Sequence, residues 1–125
     1  PHGSSYQYIL KKPYTASPAL RTMTSTEICF SCHDWNVYAN NASTTTVKAY
    51  SRFNPGSISE GHTYHVGNRQ VSCYSCHVTH GSTSRSFLLV TGRNPGINSF
   101  TQTTNGGTCA PTCHGSESYT VNYAR

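Results

Sequence analysis

Three times in 125 residues the chain places a histidine directly after the second of two closely spaced cysteines. The copies are Cys29-Phe30-Ser31-Cys32-His33, Cys73-Tyr74-Ser75-Cys76-His77 and a stretched Cys109-Ala110-Pro111-Thr112-Cys113-His114, and no cysteine lies outside them. This is the attachment signature of c-type haem. Two thiols on a tight turn reach the two vinyl groups at one edge of a porphyrin and form thioethers. The histidine that follows then lies under the ring with its imidazole toward the iron. All six cysteines are accounted for by three covalent haems c, and the fold must be built around three large flat groups. The third copy has one extra residue, so its loop must bulge, and Pro111 suits such a bulge by fixing its own φ.

Two other uses of paired cysteines are weaker. A disulfide framework in a secreted chain does not require a histidine after every second cysteine. Two of the motifs could assemble a four-cysteine zinc centre. The third would then be orphaned and the adjacent histidines unexplained.

Each haem iron has a second axial position. Beyond the proximal histidines His33, His77 and His114, the chain offers His2, His62, His65 and His80, and a single methionine, Met23. Four spare imidazoles for three irons make bis-histidine ligation the economical assignment. A saturated iron of that kind transfers electrons and leaves no position for substrate, so the chain reads as an electron carrier and not an enzyme.

An internal repeat suggests how the distal ligands are shared out. His2-Gly3-Ser4-Ser5 precedes Tyr8-Ile9-Leu10 and then the Cys29 motif; His80-Gly81-Ser82-Thr83 precedes Phe87-Leu88-Leu89 and then the Cys109 motif. Residues 2–33 thus resemble 80–114. Read as equivalent units, they assign His2 to the first haem and His80 to the third, leaving the second to His65, with His62 as an alternative or a ligand donated to a neighbouring subunit. His62 and His65 are three residues apart, as are His77 and His80. On an α-helical turn such pairs share a side, with β-carbons about 5–6 Å apart, and so cannot grip opposite faces of one iron. If both members of a pair are ligands, they serve different, neighbouring haems.

The run Cys73-Tyr74-Ser75-Cys76-His77-Val78-Thr79-His80-Gly81-Ser82 resembles the doubled-motif multihaem cytochromes, in which CxxCH is followed closely by a second histidine and Gly-Ser. Pro1-His2-Gly3-Ser4-Ser5 is similar to the tail of the same element without its own CxxCH. The resemblance implies electron transfer in the periplasm or outside the cell. Some members polymerise into extracellular filaments with stacked haems and a histidine donated across the subunit boundary. The CxxxCH third site departs from the plain pattern.

Composition favours an assembled protein over a diffusing shuttle. Charged residues are 10% of the chain, against about 25% in ordinary proteins. No run of charge offers a docking patch that would steer a soluble partner. The formal charge of +5 is comparable to the negative charge of six haem propionates, and no basic cluster or motif points to nucleic acid. A near-neutral, polar, uncharged surface is prone to associate. The nine tyrosines suit both interfaces and packing against flat cofactors, and Trp35 reads as packing.

Apolar residues amount to 34% without a long amphipathic helix or an alternating strand pattern. The expected architecture is one domain over 1–125, mostly irregular, with short α-helices at the cysteine motifs and few short strands. It is a small multihaem cytochrome fold organised around three covalent haems. Asn40–Thr46 and Asn94–Gly107, rich in Gly, Pro, Ser, Thr and Asn, read as loops. Thioether attachment takes place after export, so the expected location is extracellular or cell surface, with the periplasm as the alternative. A leader is expected to have been removed, and no apolar stretch is long enough to span a bilayer. Asn41-Ala42-Ser43 is a glycosylation sequon. The expected partners are further copies of the chain in a filament, upstream cytochromes and extracellular acceptors. A soluble carrier, an oxyanion reductase with an open iron site and a subunit of a larger cytochrome complex are the competing roles.

Overall fold

Polar backbone-rich segments with few large apolar side chains can form only short regular elements, and such elements are what the computed structural model contains. It describes residues 3–6, 10–14, 16–20, 23–54, 61–78 and 86–121. His2 and His80 lie outside them. A 3-10 turn, Ile28–Ser31, leads into helix α1, Trp35–Tyr38. Asp34 caps α1, its Oδ1 accepting from the Asn36 amide at 2.8 Å, the usual role of a short acceptor at a helix start. Helix α2, Thr45–Ala49, starts the same way on the Thr44 hydroxyl. The stretch expected as loop over 40–46 therefore ends in the first turn of a helix. Lys48 of α2 is buried and folds back so that Nζ donates to the Asn41 carbonyl at 2.7 Å.

A π-helical turn, Thr63–Asn68, packs on α1, and helix α3, Cys73–Cys76, follows at once. The N-terminal segment is stitched onto α3 by two buried serines. Ser72 donates its amide to the Ala19 carbonyl and its hydroxyl to Ser17, while Ser75 Oγ accepts from the Ala19 amide. Met23, Ala39 and Val66 form the apolar centre of this half, with Phe30, Trp35 and Cys73 packed against it. Phe30 and Trp35 meet edge to face at 4.9 Å. Met23 and Trp35 are thus packing residues.

The other half is an antiparallel sheet in the order β1, Ile97–Thr103, β2, Gly106–Pro111, and β3, Glu117–Thr120. This corrects the expectation of a loop over 94–107. The alternation that marks a half-buried strand is absent because, in β1, only Ile97 is buried and only Phe100 is half-buried. The strands are registered instead by a two-residue turn, Thr104-Asn105, with Thr103 opposite Gly106, the commonest length for a hairpin connection. The Phe100 ring lies over Gly107, where a β-carbon would sit 2.5 Å from Phe100 Cε2. Pro111 pairs with Ile97 beside a register irregularity in β1. Buried polar residues among those described (Glu27, Lys48, Asn54, Thr63, Ser72, Ser75) are as many as buried apolar ones. The protein atoms alone make a small core. Among the described residues no helix is long and apolar enough to cross a membrane.

Candidate functional site

The first two cysteine motifs adopt the same local turn. In each, the amide of the histidine donates to the carbonyl of the first cysteine at 2.9 Å, His33 to Cys29 and His77 to Cys73. That bond winds the four residues into one helical turn. The third motif is built differently. Cys109 is within β2, opposite Phe100 and Glu117, while Cys113 and His114 lie in the exposed β2–β3 loop. Thr112 anchors that loop by exchanging bonds with Gly96, amide to carbonyl and amide to hydroxyl, each 3.0 Å. Ser116 Oγ closes it on the Cys109 carbonyl. The extra residue of CxxxCH takes the chain past the end of β2, so that Cys113 lies in the loop while Cys109 stays in the strand. The repeat seen in the sequence therefore ends in a 3-10 turn in one copy and in a strand in the other.

The three motifs converge. Cys29 and Cys73 lie beside each other, and their interaction holds Cys29 down at about 7 and pushes Cys73 up. Cys76 is pushed up to about 12, first by burial and then by the nearby Cys109 and Cys113 thiols. The second motif thus sits between the other two. All six cysteines are free thiols, the state in which they can add to a vinyl group.

The histidines converge on the same region. The His62 and His77 ring centres are 6.0 Å apart with planes 23° apart, and those of His65 and His114 are 6.3 Å apart at 34°. The sequence reading placed His65 with the second motif; in the structure it is His62 that faces the second motif, and His65 faces the third. The cause is local. His62 and His65 flank the start of a π-helical turn, whose wider circumference rotates residues three apart away from a common side. π-Turns interrupting helices often occur at functional sites. Tyr38 stands between His33 and His62, 5.2 Å from each ring, and Phe53 between His62 and His65, at 5.1 and 5.7 Å. Neither aromatic stands out in the sequence, since nothing local ties it to a histidine far along the chain.

Hydrogen bonds select the tautomer. Nδ1–H donates to a carbonyl in His65 (Gly61, 2.8 Å), His77 (Phe87, 3.0 Å) and His114 (Gly115, 2.8 Å). The lone pair is then on Nε2, the arrangement typical of metal-ligating histidine. The carbonyl facing His77 is held at a cost, for Phe87 and Leu88 both have left-handed φ, 54° and 57°, worth about 1–3 kcal/mol each for non-glycine residues. His62 Nδ1 is buried with no hydrogen-bond partner, so the enclosure of this ring is not compensated by the protein itself. Burial, together with His77, His65 and His33, pushes its pKa down to about 3; burial also lowers His65 and His77. All three are neutral and ligand-competent at neutral pH.

Arg93, in the turn before β1, completes the site. Its Nη1 donates to the carbonyls of Tyr74 and His77, the latter at 2.8 Å, and its guanidinium lies 3.5 Å over the Tyr74 ring. It clamps the C-terminal end of α3 and brings a positive charge to Cys76.

Among the described residues no group of three or more His, Cys, Asp or Glu is arranged to hold a metal ion. A structural zinc site takes four such ligands and a catalytic one three, whereas haem iron asks the protein for two. The donor set therefore fits haem: paired thiols beside each motif histidine, imidazoles with free Nε2, and an orphaned buried nitrogen. No protein family, curated protein or solved structure compared with this chain matches it.

Proposed function

We propose that the chain is a trihaem c-type cytochrome that carries electrons outside the cell. The observation that supports this most is the convergence of all three CxxCH-type motifs, with the second between the first and third. Cys29 and Cys32, Cys73 and Cys76, and Cys109 and Cys113 would hold the three haems, and His33, His77 and His114 would ligate their irons. When bound, haem supplies a one-electron ferric–ferrous couple. The chain's own part is to bring three attachment sites into one cluster, to exclude water with Tyr38, Phe53 and the half-buried imidazoles, and to present neutral nitrogens. Exported with a haem-attachment system, the protein is expected to carry three covalent haems per polypeptide by intact mass and haemochrome assay, and to bind no carbon monoxide when reduced. An exported protein without haem overturns the reading, and carbon monoxide binding at native pH would replace the carrier with an open-site reductase.

Within this reading the chain is a subunit of a homopolymer. The supporting features are the low charge, the surplus of imidazoles over irons, and large side chains turned to solvent, Tyr50 at 73% and Leu20 at 62% exposure. Imaging of the secreted protein tests it: filaments support it and discrete particles refute it.

Arg93 places a fixed charge beside the second attachment site. A cation there disfavours the oxidised, more positive iron. Arg93→Gln is expected to lower the midpoint potential of one haem and leave the other two in place, whereas Arg93→Lys retains most of the wild-type value. Equal loss in both variants would mean that the clamp, and not the charge, sets the potential.

A further inference from the structure

The facing rings carry more than a general affinity for haem. An imidazole nitrogen binds a first-row metal at about 2 Å and its ring centre lies about 1 Å further, so imidazoles on opposite faces of one iron have centres about 6 Å apart. The structure holds two pairs at comparable centre-to-centre distances, His62 and His77 at 6.0 Å with planes stacked 23° apart and His65 and His114 at 6.3 Å with planes tilted 34°. Both pairs unite a motif histidine with one at the start of the π-turn, His62 capping it and His65 within it. In His65, His77 and His114 the Nδ1–H bond to a carbonyl leaves the lone pair on Nε2, the nitrogen that would ligate.

We infer that His62 is the distal ligand of the haem attached at Cys73 and Cys76, and His65 the distal ligand of the haem attached at Cys109 and Cys113. The inference rests on the haem reading above and replaces the pairing suggested by the sequence repeat. One short turn then supplies the second ligand to two adjacent haems, and Phe53, packed between the two imidazoles, holds them in their separate directions. With these two irons complete, His2 and His80 remain for the single iron held by His33. One imidazole is left over, free to be donated to another copy of the chain.

The test is the spin state of the holoprotein. His62→Ala is expected to turn one of the three haems high-spin in optical and electron paramagnetic resonance spectra, and His65→Ala to turn a different one, so that the double variant keeps one low-spin haem in three. Under the repeat-based pairing His62→Ala would leave all three low-spin, and that result overturns the inference. Because an alanine in an enclosed position can loosen the fold, His62→Met is the companion variant: a thioether at the same place should keep the iron low-spin, add a sulfur-to-iron charge-transfer band and raise one midpoint potential. Absence of that band in a folded trihaem protein also overturns the pairing, while absence of haem from the wild-type protein overturns the underlying reading instead.

Discussion

Produced in a host without c-type haem attachment, the chain is expected to show the far-ultraviolet spectrum of largely unordered polypeptide and no cooperative thermal transition. The expectation follows from what is buried. Met23, Val37, Ala39, Val66, Ile97 and Val121 are the buried apolar side chains among the described residues, and the helices among them are four or five residues long, well short of the length at which a helix holds itself in water. Conformational entropy must be offset by something else, and three porphyrins between the cysteine motifs would supply the missing apolar area. Differential scanning calorimetry on haem-free and haem-loaded protein decides the matter. A cooperative transition in the haem-free chain would show that the polypeptide is its own core.

The second large effect is expected at Gly67, in the π-turn. A β-carbon there would lie 1.7 Å from the Ala39 carbonyl oxygen and 2.9 Å from its carbon, backbone against backbone, where no rotamer relieves the clash. Gly67→Ala is expected to destabilise the holoprotein by about 3 kcal/mol, at the upper end for overpacking. The strain is not confined to stability. Gly67 shares its turn with His65 and follows His62, so moving it from α1 shifts both imidazoles, and partial high-spin character should accompany the lower melting temperature. Gly3→Ala, where nothing lies within 4 Å of the added carbon, is the control and should be neutral. A Gly67→Ala protein as stable as wild type, with unchanged spectra, would show that the turn and α1 separate freely.

The turn of a paired-cysteine motif is local structure, and local structure is legible. Cysteines three residues apart with a histidine next demand one tight turn, and Cys29–His33 and Cys73–His77 form it with the same hydrogen bond. The packing role of Trp35 and the irregularity of most of the chain were equally open to reading, because a scatter of small polar residues cannot build long elements. The sheet was not. β1 is polar on nearly all its length, so its pairing depends on a turn and on partners across a hairpin and leaves no periodic trace.

The histidines outside the motifs mark the boundary between the two kinds of information. Composition alone offers four histidines beyond the three of the motifs, and on the proposed haem reading that surplus makes a saturated iron, with electron transfer as its consequence, the economical expectation. Which imidazole faces which motif depends on a single turn being π rather than α, and on α1, the Phe53 ring and the β2–β3 loop meeting around it. Those contacts join residues that are 15 to 49 positions apart, such as His62 with His77 and His65 with His114. A sequence specifies ligand chemistry through neighbours along the chain, but the direction in which a ring points is decided by the packing of everything around it.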